Sequence, residues 1–336
     1  MMGSVSEGAR QVIEVCLGLK KDEKLTIITD RPTEKLAMAL KESAERVTKR
    51  VDFFILEDFG KRPLQAVPKP VEESIKSSDA SILLVQKIGN EVYTIRKPIR
   101  ILGLKYGRHV NMPGVNKKVF ETGLSVDYRK VWRFSKMVYR ILRKSREIAV
   151  KSDSGTDIVL EISDKYRWVN SLGDMRKKGH QGTNLPGAEV FTYPSNVNGT
   201  FVVDVELGDY FSEKYGFLEK TPVYLEISDG VVTSVECENS VLKNELIKYM
   251  RADSNAGRIG EFAVGTNPFL REFIGVFLQD EKVPGVHIAI GNPYPEATGA
   301  PYTSRVHLDC ITKNPTVLVD GRIIMDKGRF TLPKRY

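Results

Sequence analysis

The stretch Leu25–Leu56, LTIITDRPTEKLAMALKESAERVTKRVDFFIL, decides how the first half of this chain folds. Leu25-Thr26-Ile27-Ile28-Thr29 reads as a buried strand. After Pro32, the residues Leu36, Ala37, Leu40, Ala44 and Val47 recur at helical spacing, and Val51 to Leu56 is a second strand. Working outward, Val5, Ala9, Val12, Ile13, Cys16 and Leu17 mark a preceding helix. Val71 to Ile75 is a short helical piece and Ala80 to Val85 a third strand. The β-α-β-α-β order implies a parallel sheet with covering helices. The turn after the first strand, Asp30-Arg31-Pro32-Thr33-Glu34, lacks the glycines that let a backbone approach a pyrophosphate. No dinucleotide fingerprint is present, and the domain is expected to be structural or substrate-shaping.

Asp127 to Ile148 reads as one long helix. Val131, Phe134, Val138, Ile141 and Leu142 form its apolar face, and Arg129, Lys130, Arg133, Lys136, Arg140, Arg143, Lys144 and Arg146 cover much of the rest. It could serve nucleic acid or a membrane surface, or connect two domains with a solvated basic face. The second reading is preferred, because a basic amphipathic helix needs a further signal. From about residue 150 the pattern turns strand-rich. Thr156 to Ile162, Gly199 to Leu207, Val223 to Ser228, Val231 to Glu236, Val306 to Ile311 and Val317 to Met325 read as strands. Asp229-Gly230 and Asp320-Gly321 are hairpin signals. The helix Leu242 to Met250 has Ser240 as its candidate N-cap. The expected class is α/β: an N-terminal α/β domain over 1–149 with a parallel βαβ sheet, ending in the long basic helix, then a strand-rich α+β metal-binding domain over 150–336.

Composition sets outer limits. The 336 residues carry 51 basic and 43 acidic groups, a formal net charge of +8. That excess permits nucleic-acid contact without requiring it, and no helix-turn-helix, RNA-recognition or zinc-finger pattern is present. No apolar run approaches a membrane span, so no membrane partner is expected. The start, Met1-Met2-Gly3-Ser4-Val5-Ser6-Glu7, has no basic segment followed by an apolar one, and the cytoplasm is the expected compartment. Cys16, Cys237 and Cys310 are odd in number and widely spaced, which favours free buried thiols.

The chemistry concentrates late in the chain. Only four histidines occur in 336 residues, and His287 and His307 each lie inside an alternating apolar run. Residues two apart on a strand share a face. His307 and Asp309 therefore point together, while Cys310 points to the core. His287 shares its face with Ala289. Glu261 and Glu189 sit among apolar and glycine neighbours, where a lone carboxylate is costly to bury unless it is paired or bound to metal. Each has a plainer reading, as a satisfied core histidine or a glutamate paired with Arg258 or Arg305. Together they suit metal: three carboxylates carry −3, and two divalent ions with a bridging hydroxide carry +3.

Four segments resemble the aminopeptidase T and aminopeptidase S group of dinuclear metallopeptidases, the thermophilic metalloprotease family. They are Asn184 to Pro194, Gly257 to Gly265, His287 to Pro295, and Ser304-Arg305-Val306-His307-Leu308-Asp309. The tail Val319 to Gly328 is also similar. The resemblance is specific over roughly residues 180 to 330. It implies metal ligands at Glu189, Glu261, His287, Tyr294, His307 and Asp309, holding two divalent ions (zinc, cobalt or manganese), and a homodimer. Asp309 and Glu261 are candidate bridging ligands, and Tyr294 could also stabilise an oxyanion. Glu189, Glu261 and Glu296 are open as general base. The chain departs from the family at Ala188, where relatives often carry an acidic residue.

The expected activity is removal of N-terminal residues from short peptides with a free amine, in a site enclosed by a covering α/β domain. Two alternatives stand beside it: a dinuclear hydrolase of a non-peptide substrate, and a basic nucleic-acid-binding protein with a structural metal. No Gly-x-Ser-x-Gly elbow supports a serine nucleophile.

Overall fold

The structure is a computed structural model that describes residues 3–179 and 183–333. The chain divides into two compact units, Met1–Trp132 with Leu172–Gly187, and Arg133–Ser171 with Ala188–Tyr336.

In the first unit, β1 (Leu25–Thr29), β2 (Val51–Ile55), β3 (Ala80–Leu84) and β4 (Arg108–Asn111) form a parallel sheet in the order β2-β1-β3-β4. β1 and β3 are buried along their whole length. Covered on both sides, a central strand loses its polar alternation, which is why Leu25–Thr29 is so apolar. Helices Glu34–Glu45, Lys69–Lys76 and Lys97–Tyr106 supply the connections. The last helix and β4 extend the βαβ pattern beyond the three strands legible in the sequence.

The strand order reverses between β1 and β3, where open α/β sheets commonly bind ligands. Here that crevice holds an ionic cluster. The Arg62 guanidinium lies 2.5 Å from both Asp30 and Glu91, all three side chains being almost fully buried. The Gln86 amide donates to Asp30 at 2.6 Å. The groups satisfy one another, in keeping with the missing dinucleotide fingerprint.

The helix expected over 127–148 is shorter, Tyr128–Leu142. Ser145 donates its hydroxyl to the Leu142 carbonyl at 2.7 Å, and Glu147–Lys151 is strand β5. Ile148 and Val150 are buried there, so the period has switched from helix to strand. Phe134, Val138 and Leu142 join the core of the second unit, and Arg133, Lys136, Arg140, Arg143 and Lys144 are exposed.

The remaining strands are β6 (Asp157–Glu161), β7 (Val169–Ser171), β8 (Glu189–Thr192), β9 (Asn196–Val203), β10 (Val223–Ser228), β11 (Val231–Glu236), β12 (Ile259–Gly265), β13 (Gly285–Gly291), β14 (His307–Thr312), β15 (Thr316–Val319), β16 (Arg322–Asp326) and β17 (Arg329–Phe330). Among the described residues they make an eight-stranded sheet, β11-β10-β9-β6-β5-β15-β16-β17, and a five-stranded sheet, β14-β13-β12-β8-β7. Both glycine turns close hairpins, with Asp229 and Asp320 at positive φ. The second splits the expected Val317–Met325 strand into β15 and β16. The cap of helix Ser240–Tyr249 is Asn239, whose side chain accepts from the Val241 and Leu242 amides. Ser240 is the first helical residue and not the cap. Among the described residues no helix is long and apolar enough to cross a membrane.

Candidate metal centre

The site is built on one face of the five-stranded sheet. In register, Glu261 on β12 pairs with Ala289 on β13, which pairs with Asp309 on β14. The next rows are Ala263–His287–Ile311 and Gly291–His307. At the other edge Gly265 pairs with Glu189 on β8. The positions between the polar side chains are thus Ala263, Gly265, Ala289 and Gly291, too small to fill the space between them. The opposite face carries Val190, Phe262, Val264, Val286, Ile288, Ile290, Leu308 and Cys310 into the hydrophobic core. Cys310 lies on the face away from His307 and Asp309.

Strand alternation alone would put Ile259 beside Glu261. It does not, because β12 is bulged: Ile259 pairs with Ile290 and Glu261 with Ala289, leaving Gly260 extra. A Cβ at Gly260 would lie 2.4 Å from the Gly291 carbonyl oxygen, so only glycine fits. The bulge sends Ile259 into the core and Glu261 into the site.

Two groups of metal-ligating side chains result, Glu189–Glu281–His287 and Glu261–His307–Asp309, each with its ligand atoms within 4.8 Å. His307 Nδ1 lies 2.8 Å from the Asn292 carbonyl and is oriented by it. Its Nε2 faces Asp309 at 3.2 Å and Glu261 at 4.0 Å. His287 Nε2 is buried without a hydrogen-bond partner. It faces Glu261 at 3.6 Å, Glu189 at 3.7 Å and Asp309 at 4.0 Å, all beyond hydrogen-bond range. A buried ring nitrogen aimed between three carboxylates, each a little too far to bond it, fits divalent cations better than a self-satisfied ionic core.

Tyr294 stands at positive φ (50°), with its amide bonded to the Asn292 side chain at 2.8 Å. Its ring packs on His307 at 4.4 Å between centroids. The residue as a whole is 42% exposed, yet burial at its hydroxyl end and the carboxylates of Asp309, Glu261, Glu281 and Glu189 push the phenol well up. Burial raises the Glu261 carboxyl against the pull of both imidazoles. Asp309, despite burial, is held low by His307, His287 and Lys282. Burial opposes charge on both imidazoles, but the surrounding carboxylates raise them.

The sequence reading singled out Glu189, Glu261, His287, Tyr294, His307 and Asp309, and the fold brings all six together. Glu296 is exposed on the short helix Pro295–Thr298 and belongs to neither group. Glu281 and Lys282 were missed. In Gln279-Asp280-Glu281-Lys282-Val283-Pro284 they look like a solvated turn, but Lys282 is fully buried. A signal was present in Gly265: a Cβ there would lie 2.0 Å from the Val283 carbonyl oxygen and 2.8 Å from that of Glu281, so the missing side chain lets this segment cross β12.

Comparison with known proteins places the chain in a metalloprotease family. The family described as thermophilic metalloprotease (M29) matches residues 127–327, well over half of the chain. Among solved structures the chain is similar to wild-type AmpT from Thermus thermophilus, with 18% identity, a TM-score of 0.65 and coverage of 98% of this chain and 99% of that one. It is also similar to a 2,5-dihydroxypyridine dioxygenase from Pseudomonas putida KT2440, with 17% identity, a TM-score of 0.71 and coverage of 98% and 97%. At these identities the likeness is one of fold. No curated protein is matched. With its carboxylate and imidazole face on the matched segment, the chain belongs to the thermophilic metalloprotease family, M29.

Proposed function

We propose that this protein is a dinuclear metalloaminopeptidase that releases N-terminal residues from short peptides. The observation that carries it is the orphaned His287 Nε2 facing three carboxylates. Glu189, Glu261, His287, Tyr294, His307 and Asp309 would hold the ions, zinc, cobalt or manganese. Bound there, two divalent ions would supply Lewis acidity and an activated water at neutral pH.

The chain's own residues have separable roles. The Asn292 carbonyl and Asp309 orient His307. Glu261 and Asp309 lie in one row across three strands and could serve both ions. The Tyr294 oxygen, beside His307, could also stabilise developing oxyanion charge. A carboxylate of the site could receive the ammonium of a free peptide terminus. A homodimer is proposed from the family resemblance alone.

One fact favours a second reading. His287, His307 and Asp309 by themselves would suit a single iron held by two histidines and a carboxylate, and the Pseudomonas putida dioxygenase shares the fold. Glu189, Glu261 and Glu281 exceed what such a site needs, so the hydrolytic reading is preferred. The deciding experiment compares a free-amine tripeptide with its N-acetylated form, before and after chelation, alongside elemental analysis of protein purified without added metal. Cleavage of the free peptide alone, abolished by chelation, is expected. Equal cleavage of the acetylated peptide rules out an aminopeptidase, and one equivalent of iron with no hydrolysis favours the second reading.

A further inference from the structure

We propose that Lys282 is a positioning residue of the metal centre: its ammonium clamps Glu189 to Glu281 and cancels one of their charges, so that the site offers a net charge of −3 to its ions. The inference rests on the two-ion reading above and adds a residue pair to it.

Lys282 is buried to 0% exposure, which is rare for lysine and costly unless the ammonium is paired. Its Nζ lies 2.6 Å from Glu189 Oε2 and 2.6 Å from Glu281 Oε1. The same Glu189 oxygen faces His287 Nε2 at 3.7 Å. Lys282 therefore fixes the oxygen that a metal at His287 would share. The backbone holds it there: the Asn267 amide donates to the Lys282 carbonyl at 3.1 Å, and the segment lies over Gly265, where any side chain would collide.

The charges close. Fully ionised, as around bound cations, Glu189, Glu261, Glu281 and Asp309 would carry −4 and Lys282 +1, leaving −3. Two divalent ions with one hydroxide carry +3. Glu281 without Lys282 would leave an excess anion, and Lys282 without Glu281 an excess cation beside the ions. Glu281 is thus read here as the counter-charge of Lys282, though its oxygen is close enough to Glu189 and His287 to be taken for a ligand.

Zinc titration calorimetry on metal-free protein distinguishes the two roles, using the wild type, Glu281→Gln, Lys282→Met and the double variant. Glu281→Gln should weaken the more weakly held ion about 10–100-fold, as changes around metal ligands commonly do. Adding Lys282→Met restores −3 and should return affinity to within about threefold of wild type, a strong coupling between neighbours. If the double variant binds zinc no better than Glu281→Gln, Glu281 is itself a ligand and the proposal is overturned. Melting temperature gives a second readout. Lys282→Met should destabilise the metal-free protein more than the zinc-loaded one, and equal losses in both would mean a purely structural lysine. Should Lys282→Met fail to fold alone, the calorimetric comparison of Glu281→Gln with the double variant still decides. The two-ion reading is judged separately, by whether the wild type takes two equivalents of zinc.

Discussion

At His307 one backbone carbonyl decides which nitrogen faces the site. Asn292 occupies the Nδ1 side at 2.8 Å, which leaves Nε2 to Asp309 and Glu261. Such polar side chains in apolar runs were legible in the sequence because burying them otherwise is costly. Lys282 was not, since a Glu-Lys pair next to Asp280 reads as solvent-facing until Gly265 shows what lies against it. At this scale Glu261→Ala and His307→Ala should each lower peptide hydrolysis by more than about 100-fold, with far-ultraviolet circular dichroism unchanged. Near-wild-type rates in either would remove that residue from the ligand set. Cys310→Ser is the contrasting variant. Its side chain lies in the core, so activity should persist while stability falls by about 1–3 kcal/mol for a buried hydroxyl.

At the scale of elements, the bulge in β12 is the decisive feature. Strict alternation from Ile259 to Glu261 puts both on one face, and the extra residue Gly260 separates them. The sequence shows a glycine there but not its cause, because a bulge is defined by the partner strand. Gly260→Ala would drive a methyl into the Gly291 carbonyl. It should cost about 1–3 kcal/mol and weaken metal binding measurably by calorimetry. Gly257→Ala, with no atom nearer than 3.7 Å to the added carbon, should leave both unchanged. Equal behaviour of the two variants would mean the bulge does not position Glu261. The helix ending at Leu142 follows the same logic. Helical spacing continued to Ile148, but pairing of β5 with β6 and β15 captured Glu147–Lys151, as partner strands commonly override local propensity.

For the whole molecule, a metal that binds only the folded chain must stabilise it. At 100 times its dissociation constant one ion contributes about 2.7 kcal/mol. Zinc should therefore raise the melting temperature, and chelation should reverse it. Hydrogen exchange should show the added protection chiefly in β8, β12, β13 and β14, which bear the proposed ligands. Uniform protection, or none, would count against the site. The sequence by itself determined the parallel βαβ sheet, the strand-rich second half and both glycine hairpins, and it singled out six side chains that the fold brings together, because period, turn chemistry and polar residues in apolar runs are local properties. Only the tertiary structure decided where the long helix ends, that Glu261 leaves the face of Ile259, and that Glu281 and Lys282 join the centre. Each depends on which strand or segment lies alongside, and that packing is set by parts of the chain distant in sequence.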